Sequence, residues 1–178
     1  MSRTTRSLSM PATFCCFLQL DKMNVFRGIQ LRKRSGMTVH PEEVLQNKVV
    51  AMYFSASWCP PCRQFTPILK EFYEDLLEKE LPFDIVFVSS DKTENDMDRY
   101  MKECHGDWLA VPFGHELIKE LKKRYHITAI PKVVVITDDG SVVTVLGRKE
   151  IVENGPQCYQ QWAHAVALAR GETSTIFS

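Results

Sequence analysis

The sequence lacks two features that would assign it to a common functional class: a long hydrophobic segment and an excess of charge of one sign. No apolar run approaches the ~18 residues that a membrane-spanning helix needs, so we expect no insertion into a bilayer. The 22 basic residues are balanced by 22 acidic residues, and the basic cluster Arg32-Lys33-Arg34 is short. We interpret that cluster as a solvated surface patch, and we expect no nucleic-acid partner.

Cysteine is too sparse and too scattered for a small domain held together by disulfides, because only six cysteines occur in 178 residues. Two of them, Cys59 and Cys62, form a CxxC pair. The other four are Cys15, Cys16, Cys104 and Cys158. A CxxC pair inside a strand–helix pattern indicates redox chemistry in a reducing compartment. We therefore expect the protein in the cytoplasm, with the nucleus as an alternative. Cys104 and Cys158 lie on apolar helical stripes, where free cysteine acts as a small hydrophobe.

The length of the chain fits one domain with a single core. Residues 1–22 are rich in Ser, Thr and Arg and show neither helical nor strand periodicity, which predicts a disordered N-terminal extension. A targeting peptide is the less favoured interpretation of this segment, since Ser9, Pro11 and Thr13 interrupt its apolar region and no small-x-small cleavage site follows. We predict a globular domain over residues 23–170 and a flexible tail over residues 171–178.

Hydrophobic periodicity predicts an α/β fold. Four strands are expected, over Lys48–Ser55, Phe83–Val88, Val133–Thr137 and Val142–Leu146. The first two are near-continuous apolar runs separated by a helix, which is typical of parallel strands that are covered on both faces. The turn Asp138-Asp139-Gly140 predicts an antiparallel hairpin between the last two. With further amphipathic helices elsewhere, the pattern predicts a sandwich with a central mixed β-sheet flanked by helices on both faces.

The CxxC pair lies where the first buried strand is followed by a helix. The start of a helix presents unpaired N–H groups and the positive end of the helix dipole, and both stabilise a thiolate. We therefore predict that Cys59, at the exposed edge of the turn, is the attacking nucleophile, and that Cys62, one turn into the helix, is the resolving thiol. Pro60 and Pro61 fix the backbone between the two cysteines and remove two N–H donors.

A zinc site is the structural alternative for a CxxC pair. A structural zinc ion needs four ligands, so a CxxC pair requires a second pair at suitable spacing; Cys104-His105 is a lone pair of ligand types, and Cys104 completes an apolar helix face. We therefore expect no metal ion and no cofactor. The Ile130–Pro131 bond, which precedes a predicted strand, is open to a cis or a trans interpretation from the residues alone.

Three segments carry a family resemblance. The stretch from Phe54 to Pro67, which contains Trp58-Cys59-Pro60-Pro61-Cys62, resembles the active-site segment of the tryparedoxin and nucleoredoxin branch of the thioredoxin superfamily. Trp108–Phe113 and Ile127–Pro131 resemble the same branch. Gly147-Arg148-Lys149 and Asn154–Trp162 are similar to nucleoredoxin-like proteins related to the rod-derived cone viability factors. The resemblance covers the chain from Leu45 to Ala167.

The resemblance implies a thioredoxin-like sandwich that exchanges disulfides with protein partners and is reduced by an upstream thiol. It implies that Pro131 is a cis proline facing the dithiol, that the Ile130 backbone pairs with a substrate strand, and that Trp58 shields the nucleophile. The substrate surface would then comprise Trp58, Pro60, Pro61, Ile130 and Pro131. It also implies a role in the maintenance of sensory neurons such as photoreceptors, and a non-catalytic trophic or interaction protein on the same scaffold is the alternative.

One position departs from thioredoxin proper. Where thioredoxin has a buried Asp that helps to deprotonate the resolving thiol, six residues before the first cysteine, this chain has Tyr53. The sequence does not identify a group that takes over the proton.

Overall fold

The computed structural model describes residues 24–172. The predicted extension over residues 1–22, with Cys15 and Cys16, and most of the predicted tail over residues 171–178 lie outside this range. The strands are β1 Leu31–Arg32, β2 Thr38–Val39, β3 Val49–Ser55, β4 Phe83–Ser89, β5 Leu109–Ala110, β6 Lys132–Ile136 and β7 Val142–Thr144. The helices are α1 Pro41–Val44, α2 Pro60–Glu78, α3 Glu94–Cys104, α4 Leu117–Arg124, α5 Gly147–Asn154 and α6 Cys158–Ala169.

The described strands form one mixed sheet in the order β2-β1-β5-β4-β3-β6-β7. Strand β3 lies parallel to β4 and antiparallel to β6, and β6 forms the predicted antiparallel hairpin with β7. Every residue of β3 and β4 is buried, which explains their largely apolar sequences; Asp84 near the start of β4 is the charged exception. The predicted fold class, a mixed sheet with helices on both faces, is confirmed.

Successive residues of β3 point into two different core layers, as the alternation of a strand requires. Val49, Ala51 and Tyr53 pack into the layer that α2, α3, α5 and α6 cover. Val50, Met52 and Phe54 pack into the layer that α1, α4 and the segment before β1 cover. The central strand therefore contributes to both cores, and its carboxyl end is packed from both faces.

The last predicted strand is too long: β7 ends at Thr144 rather than at Leu146. The Thr144 hydroxyl accepts a hydrogen bond from the Leu146 N–H at 3.0 Å, which turns the chain, and α5 begins at Gly147. The turn before β7 forms as predicted, with Gly140 at a φ of 82°. A side chain at Gly140 would collide with Val25, so this position requires glycine for two reasons.

Among the helices over residues 24–172, none has the length and apolar character that crossing a membrane requires.

Candidate active site

The dithiol is built at the junction between β3 and α2. Strand β3 ends at Ser55, Cys59 is the N-cap residue of α2, and Pro60 and Pro61 occupy the first helical positions. Cys59 and Cys62 are joined in a disulfide, with Cα atoms 5.2 Å apart, which lies within the usual range for this bond. The local sequence explains the geometry, because proline fits the first turn of a helix, where its missing N–H costs nothing.

Both cysteines of the disulfide are enclosed. Cys62 is fully buried and Cys59 is only 4% exposed, so the prediction that Cys59 lies at an exposed edge is wrong. The physical reason is tertiary: Ala56 packs against the pair from the strand side, and Ile130 packs against it from a distant loop. Cys59 is still the more accessible of the two residues. Trp58 beside it is 54% exposed, and Pro60 and Pro61 are exposed as well.

The loop that ends in Ile130-Pro131 faces the dithiol. The Ile130–Pro131 bond is cis, and the Ile130 carbonyl oxygen lies 3.8 Å from the Cys59 sulfur. Antiparallel pairing of β6 with β3 brings the two segments together, because Lys132 lies opposite Phe54. Residues 71 positions apart in the sequence therefore meet at the site, as the family resemblance implies.

A second loop holds the residues that precede the dithiol. The Asp91 carboxylate accepts hydrogen bonds from the Ser57 N–H and from the Ser89 hydroxyl, each at 2.8 Å. The Trp58 indole N–H donates to the Ser90 carbonyl oxygen at 3.0 Å. The loop after β4 thus fixes both the backbone two residues before Cys59 and the exposed indole. Sequence reasoning missed Asp91, since nothing local links it to a cysteine 32 positions away.

Buried hydroxyl groups surround the carbonyl of Cys62. Thr66 donates to the Cys62 carbonyl oxygen at 2.8 Å, so its single proton is used there. Its oxygen therefore accepts from the hydroxyls of Tyr53 at 2.8 Å and Tyr100 at 2.5 Å, and Tyr100 accepts from Ser55 at 3.1 Å. Burial is the main cause that raises the pKa of Tyr53 above its ordinary value. The position that holds Asp in thioredoxin is thus a neutral phenol in a fully bonded network.

His105, which the sequence presents only as a possible metal ligand, lies in the core beside this network. Its ring is buried and packs against the rings of Tyr100 and Phe87, with centroids 4.4 Å and 4.5 Å away. The Trp108 indole N–H donates to its Nδ1 at 3.1 Å, while its Nε2 has no hydrogen-bond partner in the described structure. Burial, followed by the charge of Arg34, lowers the pKa of His105 to about 3. This histidine is therefore neutral and is part of the core beside the hydroxyl network.

The two other cysteines within residues 24–172 are free thiols. Cys158 is buried at the start of α6, and burial followed by the charge of Glu150 raises the pKa of its thiol to about 12. Cys104 is half-buried at the end of α3. Over residues 24–172 no group of three or more Cys, His, Asp or Glu side chains is arranged to hold a metal ion.

A CxxC disulfide at the start of a helix, opposite a cis proline and on a mixed sheet covered on both faces, defines the thioredoxin-like class. The sequence profile of a family described as "Thioredoxin-like" matches residues 47–142, which is more than half of the chain. The chain belongs to this thioredoxin-like family, and the resemblance inferred from its motifs is confirmed.

Individual relatives agree with the family. The chain is 35% identical over 129 residues to human "Nucleoredoxin-like protein 1", covering 70% of this chain and 61% of the relative. It is 40% identical over 148 residues to mouse "Nucleoredoxin", covering 82% of this chain and 33% of the relative. The chain spans between 20% and 61% of the length of relatives such as these and "Probable nucleoredoxin 1" of Arabidopsis thaliana.

Solved structures match over a larger share of their length. A thioredoxin from Wuchereria bancrofti is 48% identical with a TM-score of 0.68, covering 79% of this chain and 97% of that one. Native tryparedoxin I from Crithidia fasciculata is 38% identical with a TM-score of 0.67, covering 75% of this chain and 91% of that one. The fold around the dithiol is therefore that of complete thioredoxin-fold proteins.

Proposed function

We propose that this protein is a thiol–disulfide oxidoreductase that reduces disulfides in protein partners. The observation that carries the proposal is the disulfide between Cys59 and Cys62 at the start of α2, with the Ile130 carbonyl 3.8 Å from the Cys59 sulfur. A pair that closes reversibly at a helix start can donate two electrons in its reduced form. The similarity to nucleoredoxins and tryparedoxins supports this proposal.

The proposed reaction has two exchange steps. The Cys59 thiolate attacks one sulfur of the substrate disulfide; the Cys59–substrate bond forms, the substrate S–S bond breaks, and the other substrate sulfur leaves as a thiolate that takes up a proton. Cys62 then loses its proton and attacks the Cys59 sulfur, which forms the Cys59–Cys62 disulfide and releases the second substrate thiol. Two electrons have moved to the substrate, and an upstream thiol reductant restores the dithiol.

The surrounding residues have proposed roles in docking the substrate. Trp58 shields the dithiol, Pro60 and Pro61 present its exposed rim, and the Ile130 backbone, held by Pro131, pairs with an extended substrate segment. We assign the reaction to the cytoplasm or the nucleus, where an upstream thiol is available, and to the maintenance of sensory neurons such as photoreceptors. These last two assignments rest on the cysteine pattern and the family resemblance of the sequence.

Reduction of insulin by the purified chain tests the proposal. We expect the chain, supplied with dithiothreitol, to accelerate insulin precipitation, and we expect Cys59→Ser to reduce the rate to that of dithiothreitol alone. Cys62→Ser should instead accumulate mixed disulfides on Cys59, visible on a non-reducing gel, because no resolving thiol remains. Cys158→Ala is the matched control, because it removes a thiol that the fold keeps away from the dithiol; this variant should retain the activity.

The same variants address the alternative of a non-catalytic interaction protein. A folded chain, checked by circular dichroism, that gives no acceleration over dithiothreitol contradicts the proposed activity. Partner binding that survives in Cys59→Ser, together with the absence of mixed disulfides in Cys62→Ser, would favour the interaction protein.

A further inference from the structure

A cavity of about 200 Å³ lies beside the dithiol, on the side of the loop that precedes Trp58. It is lined by Ser57, Arg63, Arg99, Tyr100, Glu103 and Cys104. Ser57 comes two residues before Cys59, and the Arg63 N–H donates to the Cys59 carbonyl oxygen at 3.1 Å. Two residues of extended chain span about 7 Å, so a side chain one or two residues from a cysteine bonded to Cys59 is long enough to reach the wall of the cavity that Ser57 forms.

The cavity contains two guanidinium groups with donors to spare. The Arg63 side chain is exposed and forms no ion pair within residues 24–172. One terminal N–H of Arg99 donates to the Asp96 carboxylate at 2.6 Å, which leaves most of the five N–H donors of Arg99 available. Glu103 also lines the cavity and pairs with neither arginine in the described structure. Asp96 balances the charge of Arg99 and Glu103 balances that of Arg63, so the cavity offers a ligand carboxylate the unengaged N–H donors of two guanidinium groups rather than a net positive charge.

From this arrangement we propose that the cavity is a subsite for an acidic side chain of the substrate, an Asp or Glu within two residues of the cysteine that forms the mixed disulfide. A carboxylate accepts two parallel hydrogen bonds from a guanidinium, which gives both affinity and orientation. The Ser57 hydroxyl supplies a further donor at the wall nearest Cys59. The inference rests on the proposed reduction of protein disulfides and specifies its substrate class.

The subsite differs from the surface formed by Trp58, Ile130 and Pro131 in what it recognises. Backbone pairing at Ile130 reads no side chain, so it does not distinguish one extended segment from another. A charged subsite beside the same sulfur selects among segments that dock equally well through their backbones. Because Arg63 is exposed, the interaction weakens with added salt.

The test is a comparison of two synthetic peptide disulfides that differ only in Glu or Gln at the two positions flanking the cysteine. We expect the wild-type chain to reduce the Glu peptide with a kcat/KM about fivefold higher than the Gln peptide at low ionic strength. Arg63→Ala should bring this ratio close to one, and Arg63→Glu should invert it. Any effect of Arg63 on the reactivity of the neighbouring Cys62 applies to both peptides and cancels in the ratio.

Lys79→Ala provides the matched control, because it also removes one exposed cation from the end of α2 that lies about 24 Å from Arg63. It should keep the wild-type ratio. Equal reduction of both peptides by the wild-type chain, or an unchanged ratio in Arg63→Ala, overturns the subsite while leaving the proposed function intact. Failure of the wild-type chain to reduce either peptide contradicts the proposed function itself, and the subsite with it.

Discussion

The two ends of strand β3 are built from different chemistry. At the Ser55 end, beside the dithiol, the buried polar groups around Cys62 are the hydroxyls of Tyr53, Ser55, Thr66 and Tyr100. At the other end, Lys48 forms an ion pair with Asp84 at 2.7 Å. Nearby, Arg170 at the end of α6 binds the Asp138 carboxylate at 2.8 Å and the Lys48 carbonyl oxygen at 3.0 Å.

We infer that the two ends of β3 have different roles: the hydroxyl groups lie beside the reactive dithiol, and the ion pairs anchor the opposite end of the strand. Neutral hydroxyls satisfy one another without placing a fixed charge in the low-dielectric layer beneath the dithiol, where a charge acts strongly on a neighbouring thiol. The ion pairs fix the last helix and the sheet at the end remote from the dithiol, and they are partly reached by solvent. The comparison can be tested by disturbing each end separately and measuring stability and activity together.

The largest effect is expected for Thr66→Val, which keeps the side-chain shape and removes the hydroxyl that joins the network. Tyr53 keeps only the Cys62 carbonyl oxygen, 3.5 Å away, and Tyr100 keeps only Ser55. An unsatisfied buried hydroxyl costs about 1–3 kcal/mol, so we expect the free energy of unfolding to fall by about 3 kcal/mol. Urea titration followed by tryptophan fluorescence measures this loss.

Thr66→Ser is the matched control, because it keeps the hydroxyl and removes the methyl group. It should cost about 1 kcal/mol, the price of one buried methyl. If both variants lose the same free energy, the network contributes nothing beyond packing and the contrast between the two ends of β3 is not energetic.

The next effect concerns His105, which packs against the ring of Tyr100. Because burial lowers the pKa of His105 to about 3, the unfolded chain binds a proton between about pH 6.5 and pH 3 that the folded chain does not. The contribution of His105 to the free energy of unfolding is therefore fully present above about pH 6.5, and it is lost as the pH falls from there towards pH 3. From pH 7 to pH 5 we expect this residue alone to remove about 2 kcal/mol, and His105→Gln to abolish that part of the loss.

The comparison is made as the difference between the variant and the wild-type chain at each pH, so that contributions from the carboxylates cancel. The Gln side-chain oxygen can still accept the hydrogen bond from Trp108, which preserves one interaction of the ring. His164→Gln makes the same substitution at an exposed histidine of α6 and serves as the control; the loss assigned to His105 should remain in it. If His105→Gln lost as much free energy of unfolding between pH 7 and pH 5 as the wild-type chain, the result would contradict a buried neutral histidine.

How far the sequence predicts this molecule depends on how local each feature is. Strands β3 and β4 and the hairpin of β6 and β7 are long or have a clear turn, so periodicity finds them. Strands β1, β2 and β5 are two residues each and have no periodicity, and α5 buries Ile151 as its only large apolar side chain in the described structure, so these elements were missed. A strong helical stripe marks α2, by contrast, because seven of its residues are buried.

The site follows the same rule. The CxxC pair is a local motif, and its position between a strand and a helix is readable from the chain. The cis bond before Pro131 and its contact with Cys59 were accessible only through the family resemblance, since spacing left both isomers open. Asp91 and Tyr100 join the site across 34 sequence positions each, from Ser57 and Thr66, through tertiary packing that no local pattern records.

The smallest effect is expected at the charged end, for Lys48→Met. This change leaves the Asp84 carboxylate, whose side chain is 9% exposed, without its cation. Burial is the main cause that raises the pKa of Asp84, and the hydrogen bond and charge of Lys48 act against it, so the variant raises this pKa further. Since Lys48 itself is a third exposed, we expect a loss of about 1–2 kcal/mol at pH 7 and unchanged insulin reduction at the distant dithiol.

The stability deficit of Lys48→Met depends on pH through the Asp84 carboxylate. A carboxylate with a raised pKa binds its proton more tightly in the folded chain, so its unfavourable contribution is full above the folded pKa and disappears as the pH falls towards the unfolded value near 4. The deficit of Lys48→Met should therefore shrink on acidification, the opposite of the trend caused by His105. Lys70→Met, which breaks the exposed pair with Glu74, should cost less than about 0.5 kcal/mol. An equal cost for both methionine variants, or a deficit that grows as the pH falls, would remove Lys48 and Asp84 as an anchoring pair.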